Sequence, residues 1–226
     1  MTRVWFIRHG ESVSNVDLPT RHPAESELTL RGHEEAALIA GAFTEAPDLI
    51  VVSSYLRARE TAVPTLARFP HVPTVTWPVH EFSYLDPERY SGTTGTERGP
   101  FAQAYWERND PWEEEGGGGE SFAALLARVQ ETLRLAREQT VGFVVVFSHG
   151  LFLRALLWSA LTGVTEATPE AMQRYSHFAR GVWLPNGAIM EAMVWADGRL
   201  YFSGFRAAHI TDYSPSGEPA LLGLQR

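Results

Sequence analysis

The stretch Arg3-Val-Trp-Phe-Ile-Arg-His-Gly10 decides the fold. In it, a continuous apolar run is followed directly by two polar side chains and a glycine. Strands of parallel sheets are buried on both faces and read as unbroken apolar runs. Ligands of open α/β sheets bind at the carboxyl ends of such strands. We therefore expect Arg8 and His9 to lie where a ligand would bind.

A second stretch repeats this arrangement. Phe143-Val-Val-Val-Phe147 is apolar throughout, and Ser148-His149-Gly150 and a helical pattern follow it. This places a second imidazole at the end of another strand. Two histidines at strand ends, one of them beside an arginine, indicate phosphoryl chemistry through a nitrogen nucleophile.

Between these stretches, apolar runs alternate with helical patterns. Thr29 is predicted to cap a helix, and a strand at 49–52, a helix at 55–68 and a strand at 72–79 follow. This alternation is typical of a parallel sheet with helices on both faces. The predicted fold class is α/β, a three-layer sandwich with a mostly parallel central sheet, in a single domain over residues 1–226.

Residues 82–120 interrupt the alternation, and we expect them to form a lid-like insertion. The segment is rich in Gly, Pro, Tyr and charge, with at most a short helix around Phe101–Arg108. It ends in the run Gly116–Gly119, which we interpret as a mobile loop because glycine has high chain entropy. Long loops in compact domains are usually functional or disordered.

Regular patterns return after this segment. Ser121 is predicted to cap a helix, and a further helix is predicted at 168–178. Asn186-Gly187 and Asp197-Gly198 indicate tight hairpin turns between short strands, which supply an edge for a homodimer. Residues from about 209 onward are predicted to be a loose tail.

The composition excludes several classes of protein. The net charge is −8 and all 19 basic residues are arginines, which argues against general binding of nucleic acid or of a membrane surface. There is no cysteine, so disulfides and thiol nucleophiles are excluded. The longest apolar stretch, Leu151–Leu161, is too short to span a bilayer. We expect a cytoplasmic protein with a small-molecule partner.

The residues that follow the first two strands can hold an anion. Gly10 permits close approach to the backbone, whose free N–H groups can face an anion. Asn15 can donate a further hydrogen bond. The planar guanidinium of Arg57 can hold two oxygens of a phosphoryl group, whereas Arg59 is predicted to face elsewhere on the helix.

A carboxyl group follows the third predicted strand. Glu81 is flanked by Trp77, Phe82 and Tyr84. A carboxyl among apolar rings is partly desolvated, which favours its protonated form. Glu81 is therefore a candidate general acid, with Glu88 as the second choice.

A zinc site is an alternative for the same side chains. Two imidazoles, His9 and His149, and the Glu81 carboxylate are suitable zinc ligands. Arg8 and Arg57 at the same place would repel a divalent cation, so we expect no metal.

Taken in order, these motifs resemble the histidine phosphatase (phosphoglycerate mutase-like) superfamily over residues 3 to about 190. The motifs that carry the resemblance are Arg8-His9-Gly10-Glu11 with Asn15, Leu28-Thr29 with Gly32, Arg57-Ala58 with Thr61, Glu81, and Ser148-His149-Gly150.

The resemblance implies a role for each site residue. His9 is implied as the phosphorylated nucleophile and Glu81 as the proton donor. It also implies a reaction without a metal or an organic cofactor. The residues expected to bind the substrate phosphate are Arg8, Asn15, Arg57, His149 and Gly150.

The resemblance leaves the type of reaction open. Phosphoglycerate mutases of this superfamily usually follow the glutamate with Arg-His-Tyr-Gly, and ribazole-phosphate phosphatases with Gly-Trp-Glu-Gly. This chain has Phe82-Ser83-Tyr84-Leu85 there, and it has no lysine to retain a bisphosphorylated intermediate. We therefore expect a phosphomonoester hydrolase. A mutase-type phosphotransferase and a non-catalytic phosphate-binding module remain as alternatives.

The aromatic residues of the predicted lid suggest a substrate class. We hypothesise that they form a wall for a substrate with an apolar or ring portion, such as an aryl or nucleoside-like phosphate. The five residues are Tyr84, Tyr90, Phe101, Tyr105 and Trp106.

Overall fold

Six strands form the central sheet in the part of the chain that the structure describes. The computed structural model describes residues 1–140, 142–195, 197 and 199–210. The strands are β1 (Thr2–Arg8), β2 (Leu49–Val52), β3 (Thr74–Thr76), β4 (Phe143–Ser148), β5 (Ile189–Val194) and β6 (Leu200–Arg206).

The strand order is β3-β2-β4-β1-β5-β6. The pairs β3–β2, β2–β4 and β4–β1 are parallel, and β5 and β6 add two antiparallel pairs at one edge. The predicted α/β fold with a mostly parallel sheet is therefore confirmed. In the β1–β4 register Arg8 pairs with Ser148, and in the β2–β4 register Val52 pairs with Phe147. Three strand ends thus meet at one edge of the sheet.

Helices cover both faces of this sheet. Side chains of the first two helices pack with Trp5, Ile7 and Val145 on one face. The third to sixth helices contribute to the larger core on the other face. The helices are α1 (Leu30–Gly41), α2 (Leu56–Arg68), α3 (Gly95–Arg108), α4 (Phe122–Arg137), α5 (Gly150–Thr162) and α6 (Pro169–Gly181).

The predicted caps form in the structure. Thr29 accepts a hydrogen bond from the Gly32 N–H at the start of α1, and Ser121 accepts one from the Ala124 N–H at the start of α4. Each cap satisfies one of the amide groups that a helix N-terminus leaves unpaired.

The predicted short helix at 101–108 is wrong in length, because α3 begins at Gly95. Thr94 and Glu97 form a capping box, in which each side chain accepts from the other residue's backbone N–H. This box and the packing of the helix offset the poor helix propensity of glycine and of Pro100. The glycines and the proline in the first turns of α3 therefore explain why the sequence does not predict them as helix.

The glycines of the run 116–119 allow close packing, whereas the sequence suggests a mobile loop. Residues Glu115–Gly117 form a 3-10 turn, and Gly116 has a φ of 66°. A Cβ on Gly116 would lie 2.6 Å from the Asp86 side chain, and one on Gly119 would lie 2.5 Å from the Tyr84 carbonyl oxygen. Only glycine fits these two positions. The glycine run at the end of the 82–120 segment therefore packs against Tyr84 and Asp86 at its beginning.

The remaining differences concern strand limits and turns. β3 is shorter than the predicted 72–79 strand, and its side chains are exposed. Asn186-Gly187 lies between α6 and β5, so it is not a hairpin between two strands. Asp197 lies in the turn that joins β5 and β6, but Gly198 lies outside the described residues, as does the predicted tail from residue 211.

Candidate active site

Four buried cationic or imidazole side chains meet at the carboxyl edge of the sheet. Arg8 ends β1 and His9 follows it, whereas His149 follows β4. Arg57 is the second residue of α2, which begins at the same edge. The rings of His9 and His149 have centroids 5.1 Å apart, and the Arg57 Nε donates to the His9 Nε2 over 2.9 Å. The structure thus brings these four predicted residues together.

The hydrogen bonds of His9 define its tautomer. Its Nδ1 lies 2.7 Å from the carbonyl oxygen of Gly10. A carbonyl oxygen only accepts, so Nδ1 carries the proton and Nε2 carries the lone pair. The Arg57 Nε–H, which only donates, points to this lone pair. Nε2 is therefore the nucleophilic nitrogen.

Burial keeps the His9 ring neutral. It lowers the pKa of His9 well below its ordinary value, and the nearby charges of Arg57 and then Arg8 lower the pKa further. The sequence pointed to the cations, but burial is the larger cause. A neutral imidazole is the form in which the nitrogen can attack phosphorus.

His149 lies behind His9. Its Nε2 is 2.7 Å from the Ser53 hydroxyl oxygen, while its buried Nδ1 has no hydrogen-bond partner among the described atoms. Burial is also the main cause that lowers the pKa of His149, followed by the charge of Arg57. Neither His149 nor Gly150 lines the adjacent cleft, although both were expected to bind phosphate.

The Glu81 carboxylate lies at the N-terminus of α5. Its Oε1 accepts from the backbone N–H groups of Phe82, Leu151 and Phe152, at 2.9, 3.1 and 3.1 Å. Its Oε2 has a 3.3 Å contact with the Leu151 N–H. Oε2 therefore has fewer backbone donors than Oε1. The sequence predicts a carboxyl flanked by Trp77, Phe82 and Tyr84, but it does not reveal these backbone donors.

Asn15 is oriented by its neighbours. Its Oδ1 accepts from the Ser12 N–H at 3.0 Å, the Ser12 hydroxyl at 2.9 Å and the Asn186 Nδ2 at 3.1 Å. Because the oxygen faces these donors, the amide NH₂ group of Asn15 is the end available to a ligand. Asn15 lines the cleft together with Arg8, His9, Arg57 and Glu81.

Sequence reasoning missed Asn186. Its Nδ2 also donates to the carbonyl oxygens of His9 and Gly10, each at 3.2 Å. The residue thus links the nucleophile loop to Asn15 across the fold. No local pattern reveals this, since 171 positions separate Asn186 from Asn15. The Asn-Gly pair was interpreted only as a turn.

The cleft opens to solvent, and the space within it, including solvent at its mouth, is about 890 Å³. Its phosphate end contains the polar residues described above, and its other end is formed mainly by the 82–120 segment. Of the five aromatic residues expected to form a wall, only Tyr84 and Tyr90 line it. Arg59 and Glu88 are exposed and do not line it.

The described part of the chain contains no group of three His, Cys, Asp or Glu side chains able to hold a metal ion. The Arg57 Nε–H is directed at the His9 Nε2, the nitrogen that the alternative zinc site would need. Among the helices described in the structure, none has the length and apolar character needed to cross a membrane.

Comparisons with known proteins agree with this geometry. The family model of the histidine phosphatase superfamily (branch 1) matches residues 4–183. A metal-independent phosphoserine phosphatase of Arabidopsis thaliana is 30% identical over 166 residues, which cover 69% of this chain and 67% of that protein.

Two solved structures share the fold. A phosphoserine phosphatase mutant of Entamoeba histolytica in complex with phosphoserine has a TM-score of 0.69 at 22% identity, covering 93% of this chain and 100% of that one. The alpha-ribazole phosphatase of Shigella flexneri has a TM-score of 0.68 at 24% identity, covering 89% and 94%. With its buried pair of histidines, its two arginines and this match, the chain belongs to the histidine phosphatase superfamily.

Proposed function

We propose that the protein is a metal-independent phosphomonoester hydrolase that works through a phosphohistidine intermediate on His9. The observation that carries this proposal is the state of His9. Its ring is neutral, its Nδ1 proton is fixed by the Gly10 carbonyl, and its Nε2 lone pair is directed at the Arg57 guanidinium.

The phosphoryl group binds between the two arginines. Arg57 shifts its Nε–H from the His9 Nε2 to a phosphoryl oxygen, which frees the nucleophile. Arg8 and the Asn15 amide, which line the cleft, bind further oxygens. Once the phosphoryl group is bound, these donors stabilise charge on the equatorial oxygens of the transition state. Phosphate binding by His149 and by Gly150, which do not line the cleft, stays a prediction.

The reaction proceeds in two steps. In the first, the His9 Nε2 forms a bond to phosphorus while the bond to the ester oxygen breaks, and the leaving oxygen takes a proton from the Glu81 Oε2. In the second, the Glu81 carboxylate accepts a proton from water as the water oxygen attacks phosphorus. The nitrogen–phosphorus bond then breaks and inorganic phosphate leaves.

A panel of phosphomonoesters tests this function. Wild-type protein should hydrolyse them in the presence of a chelator, and His9→Ala should lower kcat by at least about 10⁴-fold. Arg59→Ala, which removes an exposed arginine on the same helix as Arg57, should retain full activity. Full activity of His9→Ala, or dependence on an added divalent ion, would reject the mechanism.

Trapping separates the alternatives. Brief reaction with ³²P-labelled substrate should label wild type in an acid-labile, base-stable form, and His9→Ala should not be labelled. Exchange of 2- and 3-phosphoglycerate in the presence of 2,3-bisphosphoglycerate would indicate a mutase. Phosphate binding without turnover would indicate a binding module.

The organisation of the chain supports a small-molecule substrate. We propose one domain in which residues 82–120 form the lid-like insertion that borders the cleft. We also propose a cytoplasmic location. The partner is a phosphomonoester, with no role for nucleic acid or membrane, and a homodimer remains an expectation.

A further inference from the structure

The far end of the cleft has an apolar wall. Six apolar side chains form this wall: Phe82, Tyr84, Leu85, Pro87, Tyr90 and Ala102. A phosphoryl group at His9 would direct the remainder of its ester toward this wall. The leaving group, rather than the phosphate, therefore meets these side chains.

The two tyrosines present their rings more than their hydroxyl groups. The Tyr90 hydroxyl donates to the Glu115 Oε1 over 2.9 Å, in a buried hydrogen bond. Tyr84 is stacked on Tyr105, with ring centroids 4.8 Å apart and planes 28° apart. Both rings are thus fixed by partners outside the cleft.

Glu115 fixes the wall from behind. Besides the Tyr90 hydroxyl, its carboxylate accepts from the Asp86 N–H at 3.0 Å and from the Arg89 Nη1 at 2.9 Å. The side chain is buried, and the adjacent Gly116 packs directly on Asp86. The wall is therefore organised before a ligand arrives, which lowers the entropy cost of binding.

Three charged residues also line this end of the cleft, and two of them are held by neighbours. The Arg98 Nη1 donates to the Thr93 carbonyl oxygen, and the Asp86 Oδ1 accepts from the Glu88 N–H over 2.9 Å. Arg21 is exposed. Two arginines and one aspartate leave a net positive charge at the rim, whereas the wall behind them presents apolar surface.

We propose that this half of the cleft binds a ring-bearing, uncharged leaving group, so that the substrates are phosphomonoesters of such alcohols. The proposal rests on the hydrolase function proposed above. It differs from phosphoserine, which the names of two relatives give, since the leaving group of phosphoserine carries charges.

Substrates of matched leaving ability test this specificity. Benzyl and 2-phenylethyl phosphate, like phosphoserine and 3-phosphoglycerate, release primary alcohols, so that binding rather than leaving-group chemistry separates them. We expect kcat/KM for the ring-bearing pair to be at least about tenfold higher, because apolar surface leaves water as the ester reacts. Equal values, or a preference for the charged pair, would overturn the proposal.

A substitution of Glu115, the residue that holds the wall in place, tests the wall itself. Glu115→Ala should reduce the ratio of kcat/KM for benzyl phosphate over methyl phosphate at least fivefold. The matched control is Glu113→Ala, which removes a nearby carboxylate paired with Arg108. If Glu115→Ala does not fold, Tyr90→Leu provides the same test. An unchanged ratio in the folded variant contradicts the proposal.

Binding of phosphonates separates failure of this inference from failure of the proposed function. Benzylphosphonate and methylphosphonate are not hydrolysed, and calorimetry compares their affinities without turnover. The benzyl compound should bind at least tenfold more tightly. Equal affinities refute the apolar subsite even in an active hydrolase. Tighter benzyl binding without hydrolysis of any ester refutes the hydrolase and keeps the subsite.

Discussion

At the residue scale, the state of His9 is set by contacts on both ring nitrogens. The Gly10 carbonyl fixes the proton on Nδ1, and Arg57 occupies the lone pair on Nε2 until a phosphoryl group arrives. Because Arg57 also donates to the Pro23 carbonyl oxygen, it is held in place before substrate binds. The site is therefore preorganised for an anion.

The lowered pKa of His9 predicts the pH dependence of activity. The pKa lies well below its ordinary value, so the ring stays neutral as pH falls from 7 to 6. We expect kcat/KM to show no loss over this range. Profiles must be corrected for the second ionisation of the substrate phosphate, about pH 6. An acid limb near 6.5 after that correction contradicts the prediction.

The contacts of Asn186 predict a positioning role. Its Nδ2 contacts Asn15 and the carbonyl that fixes the His9 tautomer. Asn186→Ala should therefore lower kcat/KM about tenfold, with a stability loss of about 1 kcal/mol. Asn186→Asp should lower kcat/KM further, because its carboxylate cannot donate to these oxygens and adds a negative charge beside the phosphate site.

A double-mutant cycle checks this role. Asn15→Ala removes the group that Asn186 orients, so the effects of Asn15→Ala and Asn186→Ala should be less than additive. Strict additivity would show that Asn186 acts independently of Asn15. Kinetics on the three variants at one pH provide the measurement.

At the element scale, the loop after β1 crosses the first turn of α1 at two glycines. A Cβ on Gly10 would lie 2.5 Å from the Gly32 carbonyl oxygen, and one on Gly32 would lie 2.0 Å from the Glu11 carbonyl oxygen. A Cβ atom essentially never comes this close to a non-bonded carbonyl oxygen. The close crossing lets the loop carry His9 to the sheet edge, while Thr61 accepts from the Gly10 N–H over 3.0 Å.

Two glycines in α1 therefore predict opposite effects of alanine. Gly32→Ala should lower the free energy of unfolding by about 2 kcal/mol or more, because backbone must move. Gly41→Ala meets no atom within 4 Å, and should raise it by about 0.5 to 1 kcal/mol through helix propensity. Urea denaturation measures both. Equal effects would contradict the close crossing.

At the scale of the whole molecule, buried imidazoles make stability depend on pH. Burial and the charge of Arg128 lower the pKa of His80 to about 4, and the pKa values of His9 and His149 are also lowered. Below about pH 6.5 the unfolded chain binds protons that the folded chain does not. Stability is therefore lost as pH falls from about 6.5 toward the folded values.

Thermal unfolding tests this dependence. The melting temperature should fall between pH 7 and pH 5, with up to about 1.4 kcal/mol lost per pH unit for each imidazole that stays neutral. His80→Phe keeps the ring that stacks on Tyr55, and it should make the dependence shallower. His71→Gln, at an exposed position, is the control and should leave the slope unchanged.

Much of the fold and of the candidate site followed from the sequence alone. Unbroken apolar runs predicted the parallel strands, and the strand-end positions predicted that His9 and His149 would be neighbours. These features are encoded locally, because a strand's burial shows in its own residues and parallel strands end at a common edge. The helix caps at Thr29 and Ser121 are local in the same sense.

Only the tertiary structure decided the rest. The hydrogen bond of Arg57 to His9, the backbone donors around Glu81 and the bridge from Asn186 to Asn15 join residues far apart in the chain. The glycine run is explained by contact with Asp86, where composition had suggested freedom. Periodicity reports which face of an element is buried, but the distance between two side chains depends on how whole elements pack. The sequence therefore determined which groups gather, and packing determined their protonation, orientation and partners.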